Sequence, residues 1–469
     1  MSRKPVLTFV SVVLAAMAVA GWRLDSGAGF PAAGAPAATT VQSSAADQEW
    51  YCSVATAVSG GQAAGEIVLA NSGRDTLTGT VTVYGNQSQT PAVRAFSLPP
   101  WSRAVLGEQP VLTAAFAAAT VVFHGGGGAA EQEISGPLGV SVTPCASRPS
   151  ANWYFATGTT QPGASLVLAL FNPFPENALA DLSFADSQGP SAPAEFQGIF
   201  VPSGGLVTID VGQHVVQIDD IAATVRVRSG RLVASELQLD AIPSQAGLSL
   251  VLGAPAPAGT WYLPDGVEAS GVSESLHLYN PAASAAAVSI DLNLARGQAA
   301  PFHLSVAGGT EAVVDLARQT RIPHDDPYDI VVKARGAPLV VERTVTAVAP
   351  STRTGTASML GGPTPVRTWL MGAGGASTSQ DEWIEIFDPG HRAATVTLSY
   401  LAGGSHPALS GLRRITVPAG GRSALRMGDH IQLADLSVLV SSTVPVVAER
   451  DLYQVGSIGI STSLGEPLH

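Results

Sequence analysis

A chain of 469 residues has room for three or four domains. Its 46% hydrophobic and 13% charged content excludes an intrinsically disordered protein, and 50 Gly with 33 Pro require many turns. A net charge of −12 disfavours nucleic acid, which needs a basic face, and equally anionic lipid headgroups as a partner for the body of the protein.

The N-terminus carries a targeting signal. Arg3 and Lys4 precede an uncharged apolar run from Val6 to Trp22. Residues 1–24 read as a signal anchor or a signal peptide. The sequence Ala18-Val19-Ala20 fits a signal-peptidase site, and the run is slightly short for a span. The anchor is the preferred reading, and either one exports the rest of the chain. Residues 25–48 are small, polar and Pro-rich without apolar periodicity, so a flexible tether is predicted there.

Beyond the tether, internal repetition decides the fold. Trp50, Trp153, Trp261 and Trp369 are separated by 103, 108 and 108 residues. Nineteen residues after the last three come Asn172-Pro173, Asn280-Pro281 and Asp388-Pro389, with Asn71 as the looser equivalent in the first copy. Later in each copy an apolar run ends on an acid, as in Leu339 to Arg343 and Val446 to Arg450. Within a copy the apolar residues alternate, as in Leu276 and Leu278 or Val396, Leu398 and Tyr400. Short alternating strands between Gly, Pro and Asn turns predict an all-β chain. The spacing gives four tandem immunoglobulin-like β-sandwich units, at 49–149, 150–257, 258–365 and 366–469. A propeller in which each unit forms two blades is the alternative. Short Pro-stiffened linkers such as Ala254 to Gly259 predict an extended, semi-rigid rod.

The stretch Trp153-Tyr154-Phe155-Ala156-Thr157-Gly158, followed by Phe171-Asn172-Pro173 and Val201-Pro202-Ser203-Gly204-Gly205, resembles a module of exported bacterial proteins. Chains with an apolar leader and several such copies resemble an actinobacterial family of unknown function. The likeness spans residues 49 to 469 and implies export, β-sandwich repeats and a place at the cell envelope. It brings no activity with it.

Candidate residues follow from recurrence. Trp153, Tyr154, Trp261, Tyr262 and Trp369 read either as core packing or as an aromatic platform for glycans or peptides. Packing is the leading reading. Asn172, Asn280 and Asp388 are turn formers that bond their own backbone two residues on. Glu342 and Glu449 end buried strands and need donors, with the backbone N–H groups of the Trp loop as candidates and Glu133 as the counterpart in the first copy. The acids Asp325, Asp326 and Asp329 lack calcium-loop spacing and read as a solvated loop. His303, His324, His391, His406 and His430 show no metal-ligand spacing, so no metal or cofactor is expected. Cys52 and Cys145, the two cysteines of the chain, bracket the first unit, and a disulfide is predicted in an exported protein. The expected function is a non-enzymatic scaffold or spacer of the cell envelope. Its expected partners are envelope polymers or other envelope proteins, with membrane contact through the N-terminal segment alone. An array of glycan- or peptide-binding modules using the loop aromatics is the alternative.

Overall fold

The computed structural model describes residues 46–87, 89–295 and 297–468. The leader and nearly all of the tether lie outside the described residues. Gln48 opens the first strand, so the predicted tether runs one residue too far. The described chain is all-β: strands joined by turns and by three short 3-10 turns, Ala194–Phe196, Val211–Gln213 and Met427–Asp429. No helix among the described residues is long and apolar enough to cross a membrane.

Two kinds of sheet recur along the chain. In segment 150–257, an inner sheet runs in the order Gly205–Asp210, Ala164–Asn172, Val233–Asp240, Gly247–Leu252. In segment 258–365 the order Thr310–Asp315, Val272–Asn280, Val340–Ala347, Gly355–Leu360 is the same. Segment 49–149 has the matching pairings Ser102–Gly107, Ala64–Asn71, Gly128–Gly136 and Gly139–Pro144. Segment 366–469 has Gly421–Arg426, Gln380–Asp388, Val438–Gln454 and Ile460–Leu464. Each segment adds an outer sheet that carries the Trp strand, for example Asn152–Phe155 beside Ala222–Ser229 and Ala178–Asp186.

The burial patterns explain why the chain writes these strands differently. Outer strands such as Leu77–Gly85 and Ala286–Leu294 alternate buried with half-exposed residues, the period-two signature of a sheet covered more heavily on one face. Inner strands are buried on both faces: Gly247–Leu252 is buried throughout, and Ala164–Asn172 from Leu166 onward. Their continuous apolar runs are the expected writing of a doubly covered strand. One cover is the segment's own outer sheet; in segment 150–257 Trp153, Phe155, Leu182 and Phe184 meet Leu168 and Leu170 in one core. The other cover is the preceding segment's outer sheet. Strand Gln48–Ala57 packs on Val233–Asp240, strand Ala178–Asp186 on Thr310–Asp315, and strand Thr260–Leu263 on Val438–Gln454.

The series closes on itself, which overturns the predicted rod. The four closing strands, Gly139–Pro144, Gly247–Leu252, Gly355–Leu360 and Ile460–Leu464, meet in a circuit in which the fourth also touches the first. The Leu250 N–H donates to Ser141 Oγ at 3.0 Å, Ser358 N–H to Ser249 Oγ at 3.1 Å, and Val142 N–H to Ser461 Oγ at 2.9 Å. Ala357 takes the serine's place at the remaining contact, so no hydroxyl stands there. The strands come so close that glycine is required at their starts. A Cβ on Gly247 would lie 2.3 Å from the Thr356 carbonyl oxygen, and one on Gly139 2.8 Å from Gly459 Cα. The linkers are short, as the sequence implied, but they turn the chain around an axis instead of extending it.

Candidate functional site

The Trp loops organise every junction between segments. Trp50, Trp153, Trp261 and Trp369 are only 0, 0, 1 and 3% exposed. Three of the indole N–H groups donate to equivalent backbone carbonyls, three residues before Ser235, Glu342 and Glu449: Trp153 to Leu232 at 3.1 Å, Trp261 to Leu339 at 2.9 Å and Trp369 to Val446 at 2.9 Å. These rings are core, which is the leading reading of the sequence, and the alternative of an aromatic platform at Trp153, Trp261 and Trp369 is set aside by their burial. Tyr154 and Tyr262 are half-buried. Tyr262 packs against the core of the following segment, 6.1 Å from the Phe387 ring.

Just after Trp153 and Trp369 the loop turns its backbone N–H groups toward the next segment's buried acid; after Trp50 the loop meets Ser235, which stands at the acid's position in segment 150–257. Glu342 accepts from Ala156 N at 3.1 Å and Thr157 N at 3.0 Å, and from the Thr157 hydroxyl. Glu131 accepts from Gly372 N at 3.0 Å and Ala373 N at 2.7 Å. The donors anticipated from the sequence are therefore present, but they belong to a neighbouring segment. The counterpart in the first segment is Glu131, not Glu133. Glu131 pairs with Val68 and Pro144 as Glu342 pairs with His277 and Leu360.

The loop between Leu263 and Gly266 breaks the pattern, because Pro264 has no N–H to offer. There Arg343 takes over: its guanidinium donates to the Asp265 carbonyl and pairs with Glu449, both side chains being fully buried. Arg450 does the same at the junction of the fourth and first segments, donating to the Ala373 carbonyl and to Glu131 Oε2 at 2.9 Å. Arg422 adds a second cation beside Arg343, bridging Asp265 and Glu385. Burial pushes the Glu449 carboxyl up to about 7, with the Arg343 charge working against that rise. Burial likewise raises Glu382, beside Arg450, to about 8.

The junction of segments 150–257 and 258–365 is built differently. Glu236 occupies the position of Arg343 and Arg450: it pairs with Leu168 and Val251 as Arg343 pairs with Leu276 and Met359. Across this junction Asp220, His277 and Glu311 converge, their ligand atoms all within 4.8 Å of one another. His277 Nδ1 lies 2.9 Å from Glu311 Oε1 and 3.8 Å from Asp220 Oδ1. Burial pushes Glu311 up to about 7 even with His277 beside it, and for His277 the Glu311 hydrogen bond and charge outweigh burial and raise its pKa. Sequence spacing missed this group because its members are far apart in the chain and belong to two segments. The available signal was a histidine between two core leucines, Leu276 and Leu278, on a strand covered on both faces.

The turn formers behave as predicted, with one difference. Asn172 Oδ1 accepts from Phe174 N at 3.1 Å, and its amide donates to the Glu176 and Val201 carbonyls. Asn280 repeats this with Ala282, Ser284 and Val306. Asp388 accepts from Gly390 N at 2.8 Å, but a carboxylate cannot donate to the carbonyls, and its Oδ2 is buried without a partner. Asp326 and Asp329 are buried, which corrects the solvated loop; Asp329 accepts from Asn293 at 2.6 Å. The predicted disulfide is present, with Cys52 and Cys145 Cα atoms 4.6 Å apart. It lies beside the Tyr51–Ala146 bridge, the place where the next two segments have the bridges Tyr154–Ala254 and Tyr262–Gly362.

Comparison with known proteins adds a partial match to one family. Residues 101–326 match a family of unknown function, DUF5719. No curated protein matches the chain. Among solved structures, Thermotoga maritima 1070 is 20% identical over 23% of this chain and 94% of its own, with a TM-score of 0.21. The Anabaena sensory rhodopsin transducer is 21% identical over 18% of this chain and 80% of its own, with a TM-score of 0.17. The disulfide fits an oxidising, extracytoplasmic environment.

Proposed function

We propose that the chain is a non-enzymatic scaffold outside the cytoplasmic membrane. In this reading four immunoglobulin-like sandwiches, 49–149, 150–257, 258–365 and 366–469, close into one rigid body. Residues 1–24 hold that body at the membrane through the tether 25–48, and its surface meets envelope polymers or envelope proteins. The observation that carries the reading is the use of the buried acids. Glu131, Glu342 and Glu449 are each engaged by a neighbouring segment's loop or arginine instead of lining an open cleft. Groups held in this way lock segments together and are not free to act on a substrate. The disulfide supports an exported location.

The test is made on the full chain in its own cells. The scaffold reading expects it in the membrane fraction, open to protease added from outside, with a linked Cys52–Cys145 peptide under non-reducing mass spectrometry. A mature N-terminus at Gly21 would replace the anchor with a cleaved leader. A cytoplasmic pool with both thiols free would overturn the location. Incubation with isolated cell-wall polymer and envelope proteins should give retention without turnover, and release of polymer fragments would overturn the non-enzymatic reading.

A further inference from the structure

The junction of segments 150–257 and 258–365 gathers its buried acids around a histidine, where the next and the closing junctions set arginines among theirs. Arg343 and Arg422 stand among the acids of the next junction, and Arg450 beside Glu131 at the closing one. Here Glu236 stands at the arginine's position, and the ion pairs centre on His277. Around it stand Glu311 at 3% and Asp220 at 44% side-chain or residue exposure, with Glu342 and Glu236 near enough to repel Glu311 and each other. Glu311 Oε2 is buried without a hydrogen-bond partner, and so is Glu236 Oε2.

The hydrogen bonding of His277 narrows what fills this place. Its Nε2 lies 3.3 Å from Thr344 Oγ1, which itself contacts Ser358 Oγ at 2.9 Å. A proton on Nε2 satisfies that contact and leaves the Nδ1 lone pair facing the carboxylates. Nδ1 and Glu311 Oε1, 2.9 Å apart, then need a cation between them. A proton on Nδ1 serves one oxygen; it leaves Glu311 Oε2 bare and Asp220 Oδ1 at 3.8 Å. A metal ion serves all three residues at once. One imidazole nitrogen with two carboxylates suits a divalent first-row transition ion, with Thr344 fixing the ring from behind.

We propose that Asp220, His277 and Glu311 bind one divalent transition-metal ion, of the zinc or manganese class, which clamps segment 150–257 to segment 258–365. Asp220 comes from the first segment, and His277 and Glu311 from the second, so the ion joins them where the arginine is missing. The half-exposed side of Asp220 is the entry path and leaves room for water to complete the coordination. The inference goes beyond the scaffold reading and does not depend on export or on partners.

The experiment uses the full chain, stripped with a chelator and titrated with Zn²⁺, Mn²⁺ and Co²⁺ separately. The expected result is one ion per chain by elemental analysis, a rise in melting temperature with the bound ion, and a visible absorption band with Co²⁺ from mixed N/O ligation. Asp220→Asn, at a half-exposed position that leaves the fold intact, should weaken binding at least about tenfold. Thr344→Val should weaken it by a similar factor through the lost ring contact. His277→Gln should abolish the Co²⁺ band, and Asp325→Asn, outside the cluster, should change nothing. Absence of stoichiometric binding by the stripped wild-type chain, or Asp220→Asn and His277→Gln binding as tightly as wild type, would overturn the site and leave a proton shared by His277 and Glu311 in its place.

Discussion

Two junctions of the molecule receive the same buried acid in opposite ways. Between segments 150–257 and 258–365, Glu342 rests on two backbone N–H groups and the Thr157 hydroxyl. Between segments 258–365 and 366–469, Pro264 removes a backbone donor and Glu449 depends on Arg343. The comparison teaches that the recurring element is the acid, while its donors are interchangeable. What has to be met is the cost of a buried charge, and the chain meets it with whatever the preceding loop offers. Where the loop supplies N–H groups an arginine is optional, as Glu236 at the equivalent position shows; where it does not, the arginine is obligatory.

Arg343→Leu should therefore have the largest effect. It strands Glu449 in a buried site and should lower stability by ~3–5 kcal/mol in urea unfolding. Replacing both partners, Arg343→Leu with Glu449→Leu, should recover most of that loss. A single variant as stable as wild type would show that Glu449 has donors other than Arg343.

Acidity acts on the buried acids that have no full ionic partner. Burial raises Glu382 to about 8 and Glu108 to about 7, from an ordinary 4.5. The folded chain holds these protons where the unfolded chain releases them. The stabilisation is complete below pH ~4.5 and is lost as pH rises through 7 and 8. Melting should thus occur at a higher temperature at pH 5.5 than at pH 8.5, and Glu382→Gln should flatten the upper part of that slope. A melting temperature that rises with pH across this window would contradict the buried-acid junctions.

At the N–H-rich junction the losses should be smaller. Thr157→Val removes one of three donors to Glu342 and should cost about 2 kcal/mol. That is less than the loss from Arg343→Leu, because two backbone donors remain. Equal losses at the two junctions would remove the distinction between them. Smallest is a gain: Asp388→Asn restores the amide that Asn172 and Asn280 use, and should stabilise by about 1 kcal/mol.

Much of this was legible in the sequence, for identifiable reasons. Alternation at Leu276 and Leu278 gives strands, and the fixed interval from Trp to Asn-Pro sets the period. The bracket formed by Cys52 and Cys145 gives the disulfide. Each is a local or evenly spaced signal. Glu342 was correctly expected to find N–H donors in a Trp loop, yet which loop depends on how segments stack, and spacing is silent on that. Closure was hidden in plain residues. Runs such as Gly247–Leu252 are apolar on both faces, more than one sandwich needs, and their leading glycines mark a neighbouring backbone. The cluster of Asp220, His277 and Glu311 had no sequence signature, because its members meet only when two segments pack.

Closure itself is tested most directly by small-angle X-ray scattering on residues 46–468. With the first and fourth segments in contact through Glu131, Ala373 and Arg450, the radius of gyration should be near the value for a compact chain of this length, about 22 Å. A cross-section and radius characteristic of an extended rod of four bodies, or a profile showing independent segments, would contradict the closed circuit.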